Sequence, residues 1–166
     1  DLAFKHLYPM RFRILANAIK AARGNRREVM NRLLDVIRDG LAKAGISAVV
    51  SGREKTIYSV YKKMGEKRYT FSQVFDIYGV RVLVADTTAC YAALGALHGL
   101  YKPIPGKFKD YIAIPKANGY QSLHTTLFGP FGTPIEVQIR TLVMHKIAEA
   151  GVASHWLYKE NDAQIN

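Results

Sequence analysis

The sequence is poor in cysteine, tryptophan and acidic side chains: one Cys, one Trp, and 13 Asp and Glu against 24 Lys and Arg. The lone Cys90 excludes an internal disulfide and a cysteine-built zinc site, and it fits a reducing, cytoplasmic setting. No apolar run approaches the ~18 residues of a membrane-spanning helix, so a membrane is not an expected partner. The start, Asp1-Leu2-Ala3-Phe4-Lys5-His6, lacks a Met and the shape of a signal peptide; the chain reads as an excised part of a longer soluble protein. Internal repeats, low complexity and linker-like stretches are absent as well. With 166 residues, 49% of them apolar, residues 1–166 read as one cored domain.

What is abundant is positive charge. A net charge of +11 calls for anionic company, whether a nucleic acid, an acidic surface or small phosphorylated molecules. The excess is front-loaded: residues 1–63 hold 14 basic and 5 acidic side chains, residues 64–166 hold 10 and 8.

Hydrophobic periodicity supplies the elements. Pro9 opens a helix with Phe12, Leu15, Ala16, Ile19 and Ala22 on one face, ending at Gly24. Asn25 and Glu28 have the spacing of a capping box before a second helix carrying Val29, Leu33, Val36, Ile37 and Leu41. Ile46–Val50 reads as a strand, followed by a helix from about Thr56 and a turn around Phe71–Phe75. Asp76–Val84 is apolar nearly throughout, the mark of a strand central in a sheet. Asp86 or Thr87 caps another helix, which Pro103 and Pro105 end. Ser122–Phe128 and Ile135–Arg140 form a hairpin across Gly129–Pro134, and a last helix runs from about Thr141 towards Glu160.

Three places could carry chemistry. In Ile135-Glu136-Val137-Gln138-Ile139-Arg140 the apolar residues share one face and Glu136, Gln138 and Arg140 the other, either as an ordinary half-exposed strand or as a site. Together with Asp76 at the mouth of the buried strand, Glu136 is the kind of carboxylate that a Mg²⁺-dependent phosphoryl-type transfer needs as ligand or general base. The stretch Lys107–Tyr120 interleaves lysines with Phe108, Tyr111 and Tyr120, a mixture suited to phosphates and purines. A Walker A loop is excluded there, because six residues separate Gly99 from Gly106 and Phe108 stands in place of Ser or Thr. Arg53, Lys55, Ser59 and Lys63 surround a helix start, either a triphosphate cradle or scattered surface charge. His6, His98, His145 and His155 read as surface or packing residues, His124 alone lies beside the suspect loop, and Cys90 reads as a small core residue.

Taken together, Ser51-Gly52-Arg53-Glu54-Lys55 with Tyr58-Ser59, Asp76-Ile77-Tyr78-Gly79-Val80-Arg81, the run Lys109–Thr125 and Glu136-Val137-Gln138-Ile139-Arg140-Thr141 resemble the synthetase domain of the RelA/SpoT family, and Ala21–Glu28 resembles its SpoT branch. The resemblance implies an α+β, nucleotidyltransferase-like fold with a mixed sheet of about five strands flanked by helices. It implies a stringent-response enzyme that moves the pyrophosphate of ATP to the 3′-hydroxyl of GDP or GTP, making ppGpp or pppGpp with Mg²⁺ as cofactor. By the same resemblance Arg53 and Arg81 sandwich the adenine, while Lys55, Ser59 and Lys63 hold the ATP phosphates. Asp76 and Glu136 take the metal, and Glu136 also activates the acceptor hydroxyl. Tyr120 stacks on guanine, with Lys109, Lys116, Asn118, His124 and Gln138 lining the acceptor side.

Lys107 stands where the bifunctional branch usually has Arg. The charge is kept, so the resemblance assigns the chain to that branch, whose implied acceptor preference is GDP. No histidine is followed by aspartate, so the branch's hydrolase, like its regulatory domains, is expected to lie outside this chain. Those domains are expected partners, and nucleic acid is not. A weak or idle guanine-nucleotide-sensing module, and a nucleic-acid-binding domain resting on charge alone, are the competing readings.

Overall fold

The computed structural model describes residues 1–53, 56–68, 70 and 77–151, with only the backbone course at 22–25 and 131. The turn expected at Phe71–Phe75 and the last helix beyond residue 151 lie outside the described residues.

Two helices open the chain, α1 (Leu2–Leu7) and α2 (Pro9–Lys43). Here the structure corrects the expected pair of helices: the backbone runs through Gly24 and Asn25 as one helix of 35 residues, so no cap is needed at Asn25. The cause lies in packing. Leu15 and Ile19 join Phe4 and Val60 in a small core, whereas Leu33, Leu34, Ile37 and Leu41 join the main one. Two apolar stripes that face separate cores mimic two helices in the sequence. A glycine between them costs only about 1 kcal/mol relative to alanine, and the flanking Ala and Arg residues are good helix formers. The helix stops at Gly45, whose φ of 75° is left-handed, with the Ile46 N–H donated to the Leu41 carbonyl at 2.9 Å.

There follow β1 (Ala48–Gly52), two residues later than expected, and α3 (Ile57–Lys67), whose cap Thr56 accepts the Ser59 N–H. Next come β2 (Tyr78–Val84) and α4 (Thr87–Leu100), capped by the Asp86 carboxylate on the Ala89 N–H at 2.8 Å. After them stand β3 (Lys109–Asp110), β4 (Leu123–Phe128), a 3₁₀ turn at Pro130–Gly132, β5 (Pro134–Thr141) and α5, helical over 142–151.

The five strands form one sheet in the order β1-β2-β5-β4-β3, with β2 and β5 parallel and the other neighbours antiparallel. Crossing from β2 back to the parallel β5 takes α4 over one face. On that face Val80, Val82, Leu123, Leu127, Ile135, Val137 and Ile139 are buried against Ile37 and Leu41 of α2 and Cys90 and Leu97 of α4. Each such side chain contributes roughly 1.5–3 kcal/mol by leaving water. The fifth strand, β3, was illegible as a strand, since two residues have no period. Among the described residues no helix is long and apolar enough to cross a membrane.

Candidate functional site

Strand pairing aligns Ser51, Arg81, Gln138, His124 and Lys109 in one row across all five strands. Directly paired residues project to the same face, so the row lies opposite the core. Two residues along β5 a second row holds Gly79, Glu136 and Thr126. Gly79 matters for what it lacks. Its carbonyl accepts the Arg53 N–H at 2.8 Å, and a Cβ there would stand 3.1 Å from the Arg53 Cβ, so glycine lets Arg53 lie close against β2.

The middle strand β5 divides this face. On the β1–β2 side are Arg53, Arg81 and Lys63. The Lys63 ammonium of α3 stands 3.3 Å from the Glu136 carboxylate, joining two residues that the sequence placed in different roles. Burial, then the neighbouring Arg81, lowers the Arg53 guanidinium from its usual value, and Glu136 counters the shift. The Ser59 hydroxyl donates to the Thr56 carbonyl at 2.9 Å, and the Asp1 carboxylate accepts the Tyr58 N–H at 3.0 Å. The start of α3, read from the sequence as either a triphosphate cradle or scattered surface charge, already holds an internal carboxylate. Lys55 and Asp76 lie outside the described residues.

On the β4–β3 side, residues 116–120 make a tight turn. Gly119 has a φ of 81°, its N–H bonds the Lys116 carbonyl at 2.8 Å, and the Asn118 side chain accepts the Tyr120 N–H at 3.1 Å. The Tyr120 ring meets Tyr111 and His124 edge-on, with centroids 6.2 and 5.6 Å away, and the Lys116 ammonium lies 5.3 Å from the Tyr120 centroid. Lys109 and Lys116 are exposed. Of the three aromatics in the stretch, Phe108 stays apart and packs edge-on against His98. Asp110 fixes the loop by accepting the Ala113 and Ile112 N–H groups and the Tyr91 hydroxyl. Burial alone would raise its carboxyl, but these donors hold it below the usual value.

The Tyr120 hydroxyl is 2.7 Å from Nε2 of His124. Burial, then Lys116, Arg53 and Arg140, pushes the His124 imidazole down to about 4, which makes it neutral near pH 7. Arg140, at the end of β5, breaks the strand's alternation: it points with Glu136 and Gln138, yet it is only 3% exposed. Its Nη1 donates to the Tyr120 oxygen at 3.3 Å and its Nη2 to Nδ1 of His145 at 2.8 Å. His145 in turn faces Glu149 at 3.2 Å. From the sequence, Arg140 has no task beyond its place on the polar face of the strand, and His145 reads as a surface or packing residue. The only signal was a His and a Glu four apart after Arg140, a spacing too common to single out. Nε of Arg81 and Nε of Arg140 are buried without a partner. Elsewhere Cys90 is fully buried with its thiol pushed up to about 11, and His98 bonds Thr125 at 2.9 Å, so both are packing residues as expected.

Chemically, the face offers guanidinium and ammonium groups for phosphates, a phenol ring and a neutral imidazole for a flat base, and between them one strand-held carboxylate. A family model described as "Region found in RelA / SpoT proteins" matches residues 52–163, which include every strand except the first four residues of β1. The chain belongs to the RelA/SpoT family. It is 56% identical over 161 residues to the bifunctional (p)ppGpp synthase/hydrolase SpoT of Escherichia coli K12, covering 97% of this chain and 23% of that protein. It is 46% identical over 166 residues to the GTP pyrophosphokinase of Myxococcus xanthus, covering all of this chain and 22% of that relative. The chain thus spans less than a quarter of the length of these RelA/SpoT relatives. Among solved structures, small alarmone synthetase 1 of Bacillus subtilis, bound to its product pppGpp, superposes with a TM-score of 0.63 at 22% identity, over 81% of this chain and 78% of that one. The sheet is therefore the nucleotidyltransferase-like α+β fold that the resemblance implied.

Proposed function

We propose that the open face of the sheet transfers the β,γ-pyrophosphoryl group of ATP to the 3′-hydroxyl of GDP or GTP, as the (p)ppGpp synthetase domain of a longer, SpoT-like protein. One observation carries this: Glu136 sits with Gln138 on the middle strand, with Arg53, Arg81 and Lys63 on one side and His124, Tyr120 and Lys116 towards the other. A donor nucleotide and an acceptor nucleotide on those two sides would meet at its carboxylate.

Arg53 and Arg81 would clasp the adenine, with Lys55, Ser59 and Lys63 on the phosphates. Tyr120 would stack on guanine, and Lys109, Lys116, Asn118, His124 and Gln138 would hold the rest of the acceptor. In the step itself, the 3′-oxygen forms a bond to the β-phosphorus as the bond from that phosphorus to its α-bridging oxygen breaks. AMP leaves, and the hydroxyl proton passes to Glu136. Most of the acceleration would come from positioning and from fixed cations facing the growing charge.

The donor set fits Mg²⁺. Among the described residues no three His, Cys, Asp or Glu side chains converge, but Mg²⁺ commonly binds through one or two carboxylates and fills its shell with water and phosphate oxygens. Glu136, with Asp76 two residues before β2, would hold it, and the bound ion would neutralise phosphate charge. Incubation with labelled ATP and either GDP or GTP should yield ppGpp or pppGpp, with GDP the better acceptor. Nucleotide binding without any product would sink the catalytic claim and mark a sensing module instead.

A further inference from the structure

We propose that Arg140 is a positioning residue for the acceptor nucleotide: it holds Tyr120 and, through it, His124 in the geometry that receives a guanine base. This rests on the acceptor side proposed above and adds to it a residue given no role there.

The case begins with where the Arg140 nitrogens go. An arginine that binds phosphate must present its terminal nitrogens to solvent, but Arg140 is 3% exposed and both are committed within the protein. Nη1 donates to the Tyr120 oxygen at 3.3 Å and Nη2 to Nδ1 of His145 at 2.8 Å. A guanidinium only donates, so the Tyr120 oxygen is the acceptor in that contact and its own proton is free to go elsewhere. The group within reach is Nε2 of His124, 2.7 Å away. His124 is neutral near pH 7, so Nε2 can accept and the ring proton is left on Nδ1. Donation thus runs one way, from Arg140 to Tyr120 to His124, and it sets both the tilt of the phenol ring and the tautomer of the imidazole.

The anchor of this relay is rigid. Arg140 lies within the middle strand, one residue before its end, and His145, which takes its other nitrogen, lies on α5 and is itself backed by Glu149 at 3.2 Å. Tyr120, by contrast, comes from a loop. The Arg140 guanidinium also lies 5.8 Å from the Tyr120 ring centroid, so it steadies the ring as well as its hydroxyl. A loop aromatic tied to a strand in this way is ordered before its ligand arrives, and less entropy is lost on binding.

The test is a double-mutant cycle on the 166-residue chain, with GDP and ATP affinities read by titration calorimetry and melting followed in parallel. Tyr120→Phe keeps the stacking surface and removes only the hydroxyl. It should weaken GDP roughly tenfold, as should Arg140→Gln, while ATP affinity stays within about twofold. The double variant should be no weaker for GDP than either single one, because both break the same relay. Tyr120→Phe binding GDP as the wild type does, or losses that multiply in the double variant, would overturn the proposal. Should Arg140→Gln fail to fold, Tyr120→Phe decides alone. A wild-type chain that binds no GDP would instead overturn the acceptor side itself, so the two failures are distinct.

Discussion

Along β5 the two faces of a single strand do different work. Ile135, Val137 and Ile139 are at most 1% exposed beneath α2 and α4, whereas Glu136 and Gln138, between them in sequence, stand half-buried on the other side. The backbone hydrogen bonds are common to both sets. What differs is the neighbour: apolar side chains that only need to exclude water on one face, and charged groups that must each find a partner on the other. The face under the helices therefore holds the fold together, and the open face can keep a carboxylate, several cations and a neutral imidazole close together. Arg140 marks the boundary between them, since it belongs to the polar face by direction and to the interior by burial.

That division can be tested from its strongest consequence downward. Glu136→Gln should lower pyrophosphoryl transfer by about 10²–10⁴-fold while leaving the denaturation midpoint nearly unchanged; a matching loss of stability would show that the faces are not separable. Ile139→Ala should do the reverse. It should remove about 2–5 kcal/mol in urea unfolding, with GDP affinity retained in the fraction that stays folded.

Acid should act through the open face. The His124 imidazole is held down to about 4 in the folded chain, so the unfolded chain, near 6.5, takes up the proton first. Stability is then full above about pH 6.5 and falls as pH drops towards 4, by on the order of 3 kcal/mol. Unfolding curves at several pH values should show this slope, and His124→Gln should flatten it. Smallest of all should be Lys63→Met. The Lys63 and Glu136 side chains are 37% and 32% exposed, so losing their ion pair should change stability by only about 0.2–1 kcal/mol in the same assay.

Much of the molecule was legible beforehand. The alternation in Ile135–Arg140, the buried run that became β2 and the Asp86 cap all act over a few residues, where side-chain direction follows from backbone geometry alone. The loop with Tyr120, which leads into His124 on β4, was also recognisable. Less legible was α2, because periodicity reports which residues are buried and not which core buries them. Nor did β3 show, since Lys109 and Asp110 become a strand only through pairing with His124 and Leu123.

By itself, then, the sequence determined most of the elements, the polar face of β5 and the family to which the chain belongs. The tertiary structure decided which of those residues meet. Lys63 and Glu136 are 73 positions apart, and Arg140 and Tyr120 are 20 apart. Neither contact follows from local spacing, because each depends on which strand lies beside which. That order is fixed by burying the whole apolar face at once beneath α2 and α4, and only then do the charges on the far side find their partners.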